Sequence, residues 1–427
     1  MEKTNCAAAK KDFNILIMYF IFIMYFFIQP MDLLLSRYIT GTQFTHLSET
    51  ALLMLSILFV TNINNKVKIR IKIDLQLLVS ITLLIIILIQ VLYFFSIKYK
   101  PIINGYQMYI HFLKIVGSNY IILWVVGNYA VFFHRILQNR AIKNITYIIY
   151  LIFVFLIIFM TIQNSGFSFD ITKMSIMGHG VNIVDENFDY LSFSDRFAMA
   201  TLFIISTIKN KYLKILTSVS GILLLTLTLS RTSLYMFTLI IFAIWLKYFI
   251  NSKKKLSIIY LMLFVTFIAL YSFKDNLTAS SFNNRDNRMG VLLTDRERDG
   301  SFQGRKLLKT MGEETIRKNW FFGKFLYEVE RDQKHGGYIH SIKSYWAEYG
   351  LIVFILVLFL SAYLLVKMSI CFYREKENPI LVFIFSYTIY VVISLYFSRS
   401  YFSPYIWFVF SSGYKCLDIM HTTVKID

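Results

Sequence analysis

Residues 225–237 read LTLTLSRTSLYMF. Apolar runs lie on both sides, at about 213–229 and about 232–249. Each is close to the roughly 17–25 residues a helix needs to cross a bilayer. An arginine at the centre of the hydrocarbon costs about 2.5–3.5 kcal/mol on insertion scales. Arg231 therefore reads as the marker of a tight bend between two spans, at a membrane face, with Ser230 and Thr232 beside it.

The same alternation of apolar runs and short polar joints continues in both directions. Of the 427 residues, 57% are hydrophobic and 18% aromatic, more apolar surface than a soluble domain can bury. The predicted fold class is all-α: a polytopic integral membrane protein of about 12 transmembrane helices. The candidate spans lie near 13–29, 44–62, 74–96, 109–133, 145–162, 192–208, 213–229, 232–249, 256–273, 345–366, 380–397 and 402–417. No small-residue cleavage site follows the first run, which reads as a retained span.

The formal net charge of +19 raises the question of nucleic acid. Its distribution answers it. Most Lys and Arg outside the long loop lie in the even-numbered connections and the two termini, for example Lys66, Lys68, Arg70 and Lys72, or Lys253, Lys254 and Lys255. The short odd-numbered connections hold only Arg37, Lys98, Lys100, Lys173, Arg231 and Arg399. That asymmetry is a topology signal, places both termini in the cytoplasm and implies no nucleic-acid partner. Cys6, Cys371 and Cys416 suit neither a zinc site nor a disulfide framework.

Three regions follow: 1–273 with the first nine spans, 274–344 as a long periplasmic loop between the ninth and tenth, and 345–427 with the last three and a short cytoplasmic tail. A loop of that length is usually functional or disordered. Within it, GRKLLKTMGEETIRKNW (304–320) places Leu307, Leu308, Met311, Thr315 and Ile316 at helical spacing, so an amphipathic helix lying against the membrane face is expected.

Several outer-side residues can carry chemistry. An arginine at a span end ordinarily snorkels to headgroups. Arg231, however, stands where the next helix starts, beside free N–H groups and the positive end of the dipole. Its fork suits phosphate oxygens, so the bend reads as an anion site, fit for the diphosphate of a lipid carrier. Arg305 in the loop and Arg196 in LSFSDRFAMA (191–200) lie on the same side, with Asp195 as a counter-charge beside Arg196. Arg37 and Arg399 each follow a serine, in LLSRYI and YFSRSYF, and read equally as paired or snorkelling residues.

His340 is the candidate base. It lies in HGGYIHSIKSYWAEYG (335–350), just before the tenth span, and a neutral imidazole there can take a proton from a sugar hydroxyl. His335 is a weaker duplicate. A helix starting at His340 puts Ser344 and Ala347 on its face, with Glu348 about 80° round. Glu348 then orients an acceptor, acts as base, or pairs with Lys343. The run Asp185–Asp189 is weak evidence for a cation, and no metal site or cofactor is expected. GxxxxGK[ST], HExxH and CxxC are all missing.

The span layout, LTLSRTSL at 227–234, GRKLL at 304–308 and HSIKSYWAEYGLIVF at 340–354 together resemble the bacterial O-antigen ligase and O-antigen polymerase family. The resemblance implies a membrane glycosyltransferase of the metal-independent C-type fold in the inner membrane, acting on a glycan carried by undecaprenyl diphosphate. It implies that Arg231 and Arg305 contact the diphosphate and that His340 serves the acceptor. Arg196, Arg399 and Glu348 are further candidates for binding diphosphate or acceptor. Members often carry His-Asn where this chain has His340-Ser341. Polymerase is the expected activity, from a loop rich in aromatic residues that looks tuned to one glycan. Ligase, with lipid A–core as acceptor, is the alternative, and a lipid-linked oligosaccharide flippase is the non-enzymatic one. Expected partners are the undecaprenyl-diphosphate-linked oligosaccharide and other assembly proteins, such as a chain-length regulator and a flippase.

Overall fold

The computed structural model describes residues 2–31, 120–165, 190–251 apart from 229, 300–332, 339–375, 378–399 and 403–423, with a few positions between 82 and 89. Among these residues there are helices and no strands. The helices are α1 (Glu2–Ile23), which runs on through a π-helical turn (Met24–Ile28), α2 (Ile122–Ala130), α3 (Phe133–Leu137), α4 (Arg140–Ser165), α5 (Tyr190–Thr207), α6 (Lys211–Leu227), α7 (Arg231–Asn251), α8 (Gly300–Lys318), α9 (Tyr327–Asp332), α10 (Lys343–Arg374), α11 (Pro379–Phe397) and α12 (Tyr405–Thr423). They overlap the expected spans at 13–29, 145–162, 192–208, 213–229, 232–249, 345–366, 380–397 and 402–417. The expected spans at 44–62 and 256–273 lie outside the described residues, and the span expected at 109–133 is described only from Tyr120 onward, where it breaks at Val131–Phe132.

Among the described residues, four helical stretches are long and apolar enough to cross a membrane: Phe13–Met31, Arg140–Phe159, Lys343–Arg374 and Pro379–Phe397. Thr232–Tyr248 is a shorter apolar one.

Three helices start on the same device. The Asn139 side chain accepts from Ala141 N at 2.9 Å, Asn210 from Tyr212 N at 2.9 Å and Asn378 from Ile380 N at 3.0 Å. Such a cap stabilises a helix start by about 1 kcal/mol. At α11 it is reinforced by Pro379, whose missing N–H is no loss in the first turn. All three caps lie in connections that the charge pattern assigns to the cytoplasmic face.

α11 is the centre of the bundle. Phe383 and Tyr387 meet Phe203 of α5, Phe22 of α1 and Phe408 of α12, with ring centroids 4.6–6.2 Å apart. α2 and α12 cross at backbone contact. A Cβ on Gly127 would fall 2.5 Å from the Phe408 carbonyl oxygen, so only glycine permits that approach. α4 is peripheral and turns Leu151 and Phe155 outward, as a lipid-facing helix does. The buried position of α11 matters for function, because Arg399 stands immediately beyond its C-terminus.

α10 is too long for one straight crossing. At ~1.5 Å per residue it extends roughly 48 Å, against a hydrocarbon core of about 30 Å. It breaks at Gly350, where φ is 86° and ψ 179°, a region open essentially to glycine alone. Residues 351–374 still reach about 36 Å and suffice to span. Residues 343–350 form a separate segment before the break. The loop docks into the break: Lys324 N donates to Ala347 O at 2.7 Å and Leu351 N to Phe321 O at 3.1 Å. A Cβ on Gly350 would lie 2.1 Å from Phe321 O, and one on Gly323 would lie 2.4 Å from Gly350 N.

α8 is the helix expected at 304–320. It packs on residues 343–350 rather than lying alone: Ile316, Tyr327, Ile339 and Ala347 form a small core of their own, flanked by Trp346. Gly312 makes the close approach possible, since a Cβ there would meet Ile339 at 2.1 Å. Leu307 is on the open side of the helix.

Candidate functional site

Asp195, in the first turns of α5, gathers two other helices, α7 and α11. Its Oδ2 accepts from Arg399 Nε and its Oδ1 from Arg399 Nη2, both at 2.7 Å. Oδ1 also accepts from Tyr390 Oη at 2.6 Å and from Ser233 Oγ at 2.8 Å. Asp195 and Ser233 are fully buried, and Arg399 is nearly so. A buried charge of either sign is tolerated only when paired and hydrogen-bonded. The flat guanidinium meets the carboxylate side-on with two bonds, which a lysine cannot do. Asp195 thus takes Arg399, 204 positions away, and not the adjacent Arg196.

The hub fixes the start of α7. Ser230 and Ser233 share a hydroxyl hydrogen bond at 2.7 Å, and Leu234 N donates to Ser230 O at 3.0 Å. Arg231 is the first residue of that helix. Its side chain is outside what the structure describes. The bend expected at 230–232 is therefore a helix start tied through Ser233 to Asp195 and Arg399.

His340 sits on the turn that leads into α10. Ser341 N donates to Ile339 O at 3.0 Å and Ser344 N to Ser341 O at 2.9 Å, and the helix begins only at Lys343. His340 is thus one turn ahead of the helix, not on the face with Ser344 and Ala347. Its pKa is lowered from the usual 6.5 to about 4, first by burial and then by the positive charges of Arg305 and Arg399. His340 is neutral near pH 7. That electrostatic influence also locates the three residues: the loop arginine, the arginine beyond α11 and the histidine before α10 lie close enough to interact. Arg305 is on the face of α8 that carries Gly312 and Ile316, about two to three turns nearer the N-terminus, and it is exposed.

Arg196 points elsewhere on the same level. Its Nε donates to Tyr405 Oη at 3.2 Å and its guanidinium lies 4.7 Å from the Tyr25 ring centre. Glu348 is buried and turned towards the loop. Its Oε2 accepts from Leu326 N at 2.6 Å, where Leu326 holds a left-handed φ of 54°. Burial, and then the neighbouring carboxylate of buried Glu328, raise its pKa well above the usual carboxylate range. Lys343 goes to Glu313 at 2.7 Å instead. His335, Arg37 and Asp185–Asp189 lie outside the described residues. Among the described residues, no three His, Cys, Asp or Glu side chains are grouped to hold a metal ion.

Sequence reading missed the hub. It treated Asp195 as the neighbour of Arg196, and it did not single out Tyr390, Ser233 or Glu328. One signal was present: an ionisable residue within an apolar span needs a partner facing the bundle interior.

A family model described as O-antigen ligase matches residues 216–358. The match runs from α6 into the spanning part of α10, and contains Arg231, Ser233, Arg305, His340 and Glu348. Asp195, Arg196 and Arg399 lie outside it. The chain matches no curated protein and no solved structure. Proteins of this family are membrane glycosyltransferase-like enzymes, ligases and polymerases, and the apolar helices agree with a multi-pass membrane protein. The match at residues 216–358 is thus consistent with the resemblance to the O-antigen ligase and polymerase family seen in the sequence.

Proposed function

We propose that the chain is a polysaccharide polymerase that joins undecaprenyl-diphosphate-linked repeat units at the periplasmic face of the inner membrane. The grouping of His340, Arg305 and Arg399 carries this reading: one neutral base candidate beside two cations, at the helix ends assigned to the outer face. The acceptor hydroxyl attacks the anomeric carbon of the donor and its proton passes to His340. The bond from that carbon to the phosphate oxygen breaks, and the lipid diphosphate leaves. Direct displacement inverts the anomeric centre. Arg305, Arg231 and the first N–H groups of α7 stabilise the charge that grows on the leaving diphosphate, the place where preorganised electrostatics contribute most. Arg196 adds a further cation at the same level. Glu348 braces the loop against α10 through Leu326.

The description of the matched family favours a second reading, ligase, in which the same donor is transferred to lipid A–core. Deletion separates them. Without a polymerase, cells should carry lipid A–core capped with at most one repeat unit. Without a ligase, the core should stay bare while long, acid-labile glycan accumulates on the lipid carrier. Gel analysis of lipopolysaccharide before and after mild acid distinguishes these outcomes. We expect the single-unit pattern. Bare core would establish ligase, and an unchanged ladder would refute both. The family match lends no support to a flippase.

Arg231→Ala should abolish long glycan at normal protein level. Arg231→Lys should rescue poorly, because a point charge does not replace a bidentate fork. Full-length glycan from Arg231→Ala cells would remove Arg231 from the diphosphate site.

A further inference from the structure

We propose that Trp320, Phe321 and Phe322 form an aromatic anchor by which the outer loop inserts into the interfacial layer of the outer leaflet. The three rings are consecutive and open to the surroundings, with Trp320 53%, Phe321 39% and Phe322 75% exposed. They stand against one another edge to face, with centroids 5.4 and 4.8 Å apart. Facing water they would make a contiguous apolar patch of the kind that soluble surfaces avoid.

Their depth is set by the backbone. Phe321 O accepts from Leu351 N, the first residue after the break at Gly350, where the spanning part of α10 begins. The trio therefore lies level with the outer end of a membrane span. Trp346 ties it to that span: its Nε1 donates to Trp320 O at 2.7 Å, and its ring stacks on Phe354 at 5.0 Å. From there the exposed apolar surface continues along α10 through Ile352, Ile355 and Phe359, the face that meets lipid. Tryptophan and other amphipathic rings favour this depth, and cations suit the phosphates beside it. Arg317 and Lys318 precede the rings and Lys324 follows them.

The continuity with the lipid face of α10 selects a bilayer as the occupant over a protein. The anchor also explains the glycine pair. Gly323 and Gly350 allow the ring-bearing turn to lie directly on the broken helix, so its height is fixed to that of the span. α8 ends at Lys318, two residues before Trp320, so the anchor sets the height of Arg305 above the lipid phosphates. The inference does not depend on which transfer reaction the site performs.

The test is a nitroxide attached at Phe322→Cys in full-length protein with serine at positions 6, 371 and 416, reconstituted in phospholipid vesicles. Phe359→Cys supplies the in-bilayer reference, and Phe321→Cys gives a second reading of the anchor should the first variant fold poorly. Oxygen, which concentrates in lipid, should relax the label more than a water-soluble nickel chelate does, as at Phe359 but with a smaller excess. Nickel access equal to that of a nitroxide free in water would overturn the proposal. Shielding from both reagents would overturn it too, in favour of a protein partner on the rings.

Discussion

Replacing His340 by alanine is expected to slow transfer by about 10²–10⁴-fold, the usual contribution of a positioned general base. Donor binding should change little, because the cations that hold the diphosphate remain. The pH profile is the sharper readout. Burial and the charges of Arg305 and Arg399 hold the free imidazole at about 4, so it stays unprotonated down to that pH. A diphosphate bound between the same cations offsets their field and raises the imidazole pKa in the complex. The acid limb of kcat should therefore lie at higher pH than the acid limb of kcat/KM. Arg305→Gln should raise the free-enzyme value by removing one of the two charges. These profiles are measured in vitro with lipid-linked donor and purified protein. A loss of only a few fold in His340→Ala, with both acid limbs coincident, would take His340 out of the proton transfer.

The second large effect is on stability. Asp195→Ala leaves the Arg399 guanidinium buried without its carboxylate and unties Ser233 and Tyr390. Breaking a buried pair from one side costs about 3–5 kcal/mol. The purified protein in detergent should unfold at clearly lower temperature than the parent. Replacing both partners by apolar residues of similar size, Asp195→Leu with Arg399→Met, should recover most of that loss. Activity should not return with it, because α7 has lost its tie at Ser233 and His340 has lost a neighbouring charge. Unaltered melting of Asp195→Ala would show that the pair contributes nothing to the bundle. Recovery of activity in the double variant would show that Arg399 has no part in the site.

The span pattern was legible because hydrocarbon imposes one requirement on every spanning segment. An apolar run near 20 residues must form a helix to satisfy its own backbone, whatever its neighbours are. The runs at 13–29, 145–162, 345–366 and 380–397 belong to helices long and apolar enough to cross. The helix in the loop was legible from the spacing of Leu308, Met311, Thr315 and Ile316. The break at Gly350 was not. Its glycine is one among 17 in the chain, and only the approach of Phe321 and Gly323 from the loop makes it the position that must be glycine.

The site divides the same way. The sequence by itself nominated Arg231, Arg305 and His340, since charged or titratable residues at the ends of apolar runs, on the side opposite the basic loops, stand out without any contact being known. It also determined the alternation of spans and the long outer loop as expectations. Which charge neutralises which was decided only by the tertiary structure. Asp195 adjoins Arg196 in the chain, yet successive residues on a helix point about 100° apart. The direction of the Asp195 side chain is inward, towards α11 and Arg399. Likewise, Glu348 is near Lys343 in sequence but accepts from Leu326 N across the loop. Long-range pairing of this kind depends on where helices cross, and helix crossing is set by the packing of residues such as Gly127, Phe383 and Phe408. Local periodicity contains the faces of each helix, but it does not contain the choice of neighbours.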